Sequence, residues 1–135
     1  MKEDFNNLGF EIDGLLHLTG KQAFTCIEQG AILVDVREDY EIAIKDFGII
    51  NKLECPFSSF DKLFGTLPKN NPLILADCVG IHSKEAAIKL LSNGFTAIAN
   101  LIGGVADWER DGLPMNTDVE FMSGQCPCAM RSRTL

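Results

Sequence analysis

Pro72-Leu73-Ile74-Leu75-Ala76-Asp77-Cys78-Val79-Gly80-Ile81-His82-Ser83-Lys84-Glu85-Ala86-Ala87 passes from an apolar run into a helical pattern. Leu73–Ala76 carries no polar alternation, so it reads as a strand buried on both faces, as in a parallel sheet. From Ser83 to Asn93 the period changes. Ala86, Ala87, Leu90 and Leu91 share one helical face, and Gly94 stands where a helix ends. Working outward, Ala31-Ile32-Leu33-Val34-Asp35-Val36 is a second buried strand. A helix over Gly20–Gln29 precedes it, capped by Thr19, ended by Gly30, with Ala23, Phe24 and Ile27 inward. Residues Asp39–Asp46 predict a short helix with Tyr40, Ile42 and Ala43 partly buried. Asn51–Pro56 predicts an extended segment. Ser58 or Ser59 begins a short helix over Phe60–Leu67, closed by Pro68. Phe95–Ala99 is a third strand, Asn100–Gly104 a strand end and tight turn, and Val105–Asp111 a short helix carrying Trp108 and ended by Gly112. Strands alternating with helices define an α/β domain with a mainly parallel sheet.

The bulk properties narrow the function. At 135 residues the chain suits one domain, and 46% apolar residues supply its core. The net charge of −7 argues against nucleic acid, because neutralising phosphates needs clustered Lys and Arg. No apolar run approaches the roughly 20 residues of a membrane span. Met1-Lys2-Glu3-Asp4-Phe5, acidic and without an apolar core segment, is not expected to begin a signal peptide. The expected location is the cytoplasm, where five cysteines are more in keeping with reduced, catalytic or metal-bound thiols than with a disulfide framework. No cofactor or bound metal is expected.

Open α/β sheets place their sites at the carboxyl ends of strands, and Cys78 stands at such an end. Residues 79–83 must curl from strand to helix, which Gly80 permits. Successive N–H groups in such a curl form an anion-binding concavity, and the helix start adds a positive dipole. Both favour a thiolate, the reactive form of cysteine, or the terminal sulfur of a persulfide. The alternative is a buried, inert cysteine. Asp77 before it and His82, Ser83 and Lys84 after it argue for a functional one.

At this point the chain resembles the single-domain rhodanese-like sulfurtransferases. The resemblance rests on Ile32-Leu33-Val34-Asp35-Val36-Arg37-Glu38, on the Cys78–Ser83 loop opening onto Lys84-Glu85-Ala86-Ala87, and on Leu101-Ile102-Gly103-Gly104-Val105-Ala106-Asp107-Trp108 with Gly112-Leu113-Pro114. It spans about Leu15 to Met115. It implies a rhodanese-like fold, a mainly parallel five-stranded sheet flanked by helices on both faces. It also implies that Cys78 takes a sulfane sulfur as a persulfide and passes it to a nucleophile. The family loop commonly reads Cys-Arg-x-Gly-x-Arg-Ser. Here it is one residue shorter, with Val79 and His82 in place of the arginines. Thiosulfate profits from fixed guanidinium charge, so a persulfide or polysulfide is the expected donor and a thiol, small or on a protein, the acceptor. Phosphatase chemistry needs a longer loop closed by Arg, and is not expected.

Residues 1–115 form the rhodanese-like domain in this reading, and 116–135 a cysteine-bearing tail. Cys126-Pro127-Cys128 in that tail suggests a sulfur relay or thiol redox pair, aided by Arg131 and Arg133. Two cysteines are too few to hold a metal alone, and an incidental role is the plain alternative. Asp35 and Arg37 read as a supporting ion pair beside the site, or as catalytic groups. His82 either binds the donor and tunes Cys78 or is a helix-start side chain turned to solvent. Val79, Gly80, Ile81, His82 and Ser83 form the persulfide-binding loop. Trp108, Cys26 and Cys55 are expected in packing, and His17 carries no functional signal. Two other classes stay open: a binding module with little turnover, and a redox sensor pairing Cys78 with a tail cysteine. The oligomeric state is left open.

Overall fold

The computed structural model describes residues 2–117. The central sheet has strands β1 (Phe10–Ile12), β2 (Leu15–Leu18), β3 (Ile32–Asp35), β5 (Lys52–Glu54), β6 (Leu73–Ala76) and β7 (Ile98–Leu101) in the order β1-β2-β7-β6-β3-β5. Strands β2, β7, β6, β3 and β5 are mutually parallel, so the expected parallel five-stranded sheet is present. A sixth, antiparallel strand, β1, extends its edge. A two-stranded antiparallel ribbon pairs β4 (Lys45–Phe47) with β8 (Met115–Thr117).

The apolar runs explain the layering. Along β6, Leu73 and Leu75 face one side and Ile74 and Ala76 the other, and all four are buried. On one face α1 (Gly20–Glu28) and α5 (Gly104–Arg110) pack Ala23, Ile27, Val105 and Trp108 against Leu33, Ile74 and Ala99. On the other, α3 (Phe60–Leu63) and α4 (His82–Ser92) pack Phe60, Ala86, Ala87 and Leu90 against Val34, Leu73 and Leu75. Thr19 caps α1, its hydroxyl accepting the Gln22 N–H while the Gln22 side chain accepts the Thr19 N–H. Trp108 is fully buried, edge-on to Phe24 and Phe47, and its indole N–H donates to the Pro114 carbonyl at 2.7 Å.

Several expectations shift. The helix expected over Asp39–Asp46 is α2 (Asp39–Ile44); Lys45 already belongs to β4, because Asp46 and Phe47 pair with Asn116 and Met115. Tyr40 is 68% exposed rather than partly buried, and Ala43 is exposed, whereas Ile42 and Ile44 turn inward. The segment Phe60–Leu67 is one short helix followed by a 3-10 turn over Phe64–Thr66, without a serine side-chain cap. The third strand begins at Ile98 instead of Phe95, since Phe95 packs under α4. β8 runs across the expected boundary between 115 and 116. Among the described residues, no helix is long and apolar enough to cross a membrane.

Candidate active site

Cys78 follows the carboxyl end of β6, the strand between β3 and β7. The loop from Val79 to Ile81 leads into α4, whose first residues are His82 and Ser83. Gly80 sits at φ +95°, and a Cβ there would press on the Leu101 carbonyl and the Gly103 amide, each 3.2 Å away. α5 closes over the same turn. Its Val105 and Ala106 N–H groups donate to the carbonyls of Asp77 (2.9 Å) and Cys78 (3.2 Å). That approach requires Gly104, where a Cβ would collide with those two carbonyls.

Cys78 opens into a cleft of about 390 Å³, lined by Val36, Arg37, Glu38, Tyr40, Glu41, Phe57, Ser58, Asp77, Val79, Ile81 and His82. Val79 and Ile81 are more than half exposed at its mouth. Three elements therefore converge on the thiol: the loop after β6, the end of β3, and the first turn of α2. The Cys78 thiol donates to Glu41 Oε2 at 3.2 Å. Glu41 Oε1 in turn accepts the backbone N–H of Glu38 at 3.0 Å, which pins the carboxylate at the start of α2. The Glu38 carboxylate accepts from the Ser58 backbone N–H (3.1 Å) and hydroxyl (2.8 Å).

The loop's N–H groups are arranged differently from the sequence expectation. Gly80, Ile81, His82 and Ser83 are expected to turn theirs toward the sulfur. Those of Gly80, His82 and Ser83 donate instead to the Asp77 carboxylate, at 2.7 Å for His82 and 3.3 Å for Ser83. Asp77 is 5% exposed and lies directly before the curl, so its carboxylate reaches the same concavity that would otherwise receive an anion. Ser83 adds a second anchor, its hydroxyl donating to Asn100 Oδ1 at 2.6 Å. Asn100 Nδ2 then meets His17 Nδ1 at 3.2 Å. His17, for which the sequence carried no signal, thus ends a buried chain of hydrogen bonds that begins at the loop. Burial, with the positive charge of Lys84, lowers its pKa.

Asp35 and Arg37 form the expected pair. Arg37 Nε and Nη2 fork onto Asp35 at 3.0 and 2.8 Å, and both side chains are buried. Burial disfavours the charged guanidinium, but the hydrogen bonds and charge of Asp35, with Cys78 and Glu41 nearby, raise the Arg37 pKa. His82 stacks on Phe57, with ring centroids 4.6 Å apart, at the cleft's edge. Cys26 and Cys55 are buried in the core, and burial pushes both thiols up. Cys126 and Cys128 lie outside the described residues. Among the described residues, no cluster of three His, Cys, Asp or Glu side chains is placed to hold a metal ion. Glu41 and Asp77 complete the site; the sequence marks Asp77 only as a polar neighbour of Cys78. For Asp77 a polar residue closing a buried strand was a signal; for Glu41 there was none.

Comparison with known proteins shows the family and the fold. No protein-family model matches the chain. It is 31% identical over 101 residues to a thiosulfate sulfurtransferase GlpE of Haemophilus influenzae, across 74% of this chain and 93% of that protein. Its fold matches a rhodanese-related protein from Thermoplasma volcanium (TM-score 0.66, 22% identity, 76% of this chain and 98% of the other). It also matches the polysulfide-sulfur transferase homodimer from Wolinella succinogenes (TM-score 0.68, 21% identity, 85% of this chain and 82% of the other). The chain belongs to the rhodanese-like sulfurtransferase family.

Proposed function

We propose that Cys78 accepts a sulfane sulfur to form a persulfide and passes it to a thiol. The observation that carries this reading is the position of the Cys78 sulfur. It opens into the cleft at a strand's carboxyl end, whereas the other described cysteines are buried. In the first half-reaction Cys78 sulfur bonds to the donor's sulfane sulfur, and the donor's S–S bond breaks with its electron pair leaving on the remaining sulfur group. In the second, an acceptor thiolate attacks the outer sulfur of the persulfide and releases the Cys78 thiolate.

The cleft supports a persulfide or polysulfide donor. Its walls are apolar at Val36, Phe57, Val79 and Ile81, and acidic at Glu38, Glu41 and Asp77. The Arg37 guanidinium among the lining residues is already forked onto Asp35. The Haemophilus relative is named for thiosulfate, a dianion, which would meet three carboxylates here. The acceptor is a thiol, with the tail's Cys126 and Cys128 as first candidates. Thr117 pairs with Lys45, the residue after α2, and β8 runs toward that helix. The nine residues from Asp118 to Cys126 can extend up to roughly 30 Å, well beyond the length of α2.

The test is an intact mass after incubation with inorganic polysulfide. A gain of about 32 Da, one sulfur atom, is expected and should vanish in Cys78→Ser. An unmodified wild type, or an adduct that persists in Cys78→Ser, refutes the reading. A chain ending at Thr117 should still load. If it delivers sulfur to glutathione at the wild-type rate, the tail is not the relay.

A further inference from the structure

In the first turn of α2, Glu41 holds its two carboxylate oxygens to different partners. Oε1 accepts the Glu38 backbone N–H at 3.0 Å, and Oε2 accepts the Cys78 thiol at 3.2 Å. The first bond fixes the side chain, so the second is held in place rather than left to chance. On the loop side, Asp77 occupies the N–H groups of Gly80, His82 and Ser83. Stabilisation of a bare thiolate by those donors is thereby weakened, and the proton on Cys78 needs another destination when the sulfur attacks.

We propose that Glu41 is a catalytic residue, the proton acceptor for Cys78 during sulfur loading. This rests on the persulfide reading above. With a persulfide donor, the step is as follows. Cys78 sulfur forms a bond to the donor's outer sulfur while its proton moves to Glu41 Oε2. The donor's S–S bond breaks, and its inner sulfur leaves with the electron pair. Glu41 then returns the proton to that leaving thiolate. The products are the Cys78 persulfide and the donor's thiol, with no external oxidant or reductant.

The charged and titratable neighbours fit this role. From the end of β3, Arg37 is forked onto Asp35 and lies close enough for Cys78 and Glu41 to favour its charged form as well. Glu38 and Tyr40 face the cleft from α2, Asp77 from β6 and His82 from α4. The thiol's hydrogen bond to Glu41 Oε2 gives its proton a placed acceptor as the sulfur attacks.

Glu41→Gln tests this, because the amide oxygen can still accept the Glu38 N–H. The rate of Cys78 loading by inorganic polysulfide is compared for wild type and variant at each pH from 6 to 10. A positioned proton acceptor contributes on the order of 100-fold. The variant should therefore load about 100-fold more slowly than wild type at pH 6.5 and draw level with it at the alkaline end of the range, where solvent removes the proton. Recovery at high pH separates a lost base from a damaged fold. Glu41→Asp should recover part of the rate at pH 6.5. A variant that is as fast as or faster than wild type at pH 6.5, or slow at every pH, overturns the proposal. If wild-type Cys78 takes up no sulfur at any pH, the persulfide reading fails instead.

Discussion

Replacing Asp77 with Asn keeps its size and removes its charge, and the loop geometry sets what that costs. Asp77 Oδ2 accepts the His82 and Ser83 N–H groups at 2.7 and 3.3 Å, and Oδ1 accepts that of Gly80. An amide has one acceptor oxygen. Placed at the Oδ2 position it retains His82 and Ser83 and turns its NH₂ against the Gly80 N–H. Hydrogen bonds to a charged acceptor contribute about 1.5–3 kcal/mol and neutral ones about 0.5–1.5. Demoting two bonds costs about 2 kcal/mol, and losing the third costs about 2 kcal/mol more. Removing an anion from the start of α4 adds about 0.5 kcal/mol. Asp77→Asn should therefore destabilise the domain by about 4.5 kcal/mol and lower Tm by about 15 °C at this chain length. Thermal unfolding followed by circular dichroism at pH 7, with a urea midpoint as a second measure, reads this directly. Cys78 should also be alkylated faster by iodoacetamide, since a negative charge has left its loop and an N–H has been released. A Tm within about 2 °C of wild type would refute the view that Asp77 holds the loop.

Val79→Arg places a guanidinium at the exposed mouth of the cleft. At roughly 6 Å in a water-like medium it attracts a dianion by about 1.4 kcal/mol, so kcat/KM for thiosulfate should rise about tenfold and the gain should shrink in high salt; no gain would count against charge as the determinant of donor choice. His17 should make the domain acid-labile. Its folded pKa is lowered, so below its unfolded value of about 6.5 the unfolded chain binds the proton first, and stability falls by up to about 1.4 kcal/mol per pH unit between that value and the folded pKa; urea midpoints at pH 7 and pH 5 should converge in His17→Gln, and an equal acid loss in both proteins would rule His17 out as the source.

The parts of the fold legible in the sequence are those where one segment carries its own signal. Leu73–Ala76 and Ile32–Val36 are apolar without alternation, and both are central strands. The Thr19 cap and the Ala86-Ala87-Leu90 face are local too. β1 was legible in principle: Asp13 and Gly14, at φ +52° and +82°, form a two-residue hairpin turn between Ile12 and Leu15. β4 was not. Lys45-Asp46-Phe47 is short and polar, and becomes a strand only because Met115–Thr117 returns beside it. The same division runs through the site. Cys78 is marked by its place at a strand end. The Glu41 contact joins residues 37 apart, and depends on how α2 packs across the loop. No periodicity in Asp39–Ile44 encodes that meeting.

Under the proposed function, this placement favours sulfane sulfur over oxyanions at a thiol set among carboxylates. A tetrahedral anion needs donors that are unengaged when it arrives. Here Gly80, His82 and Ser83 donate to Asp77, and Arg37 to Asp35. Displacing Asp77 from those donors would expose a nearly buried carboxylate and undo the start of α4, a cost of several kcal/mol that a weakly held anion does not recover. A sulfane sulfur makes smaller demands. The atom transferred carries little charge, lies against apolar walls at Val36, Val79 and Ile81, and requires mainly a thiol that loses its proton as it attacks. Glu41 is held by the Glu38 N–H and accepts the Cys78 thiol. In the proposed function, the acidic character that disfavours phosphate or thiosulfate in this cleft is the same feature that supplies Glu41 as proton acceptor for loading.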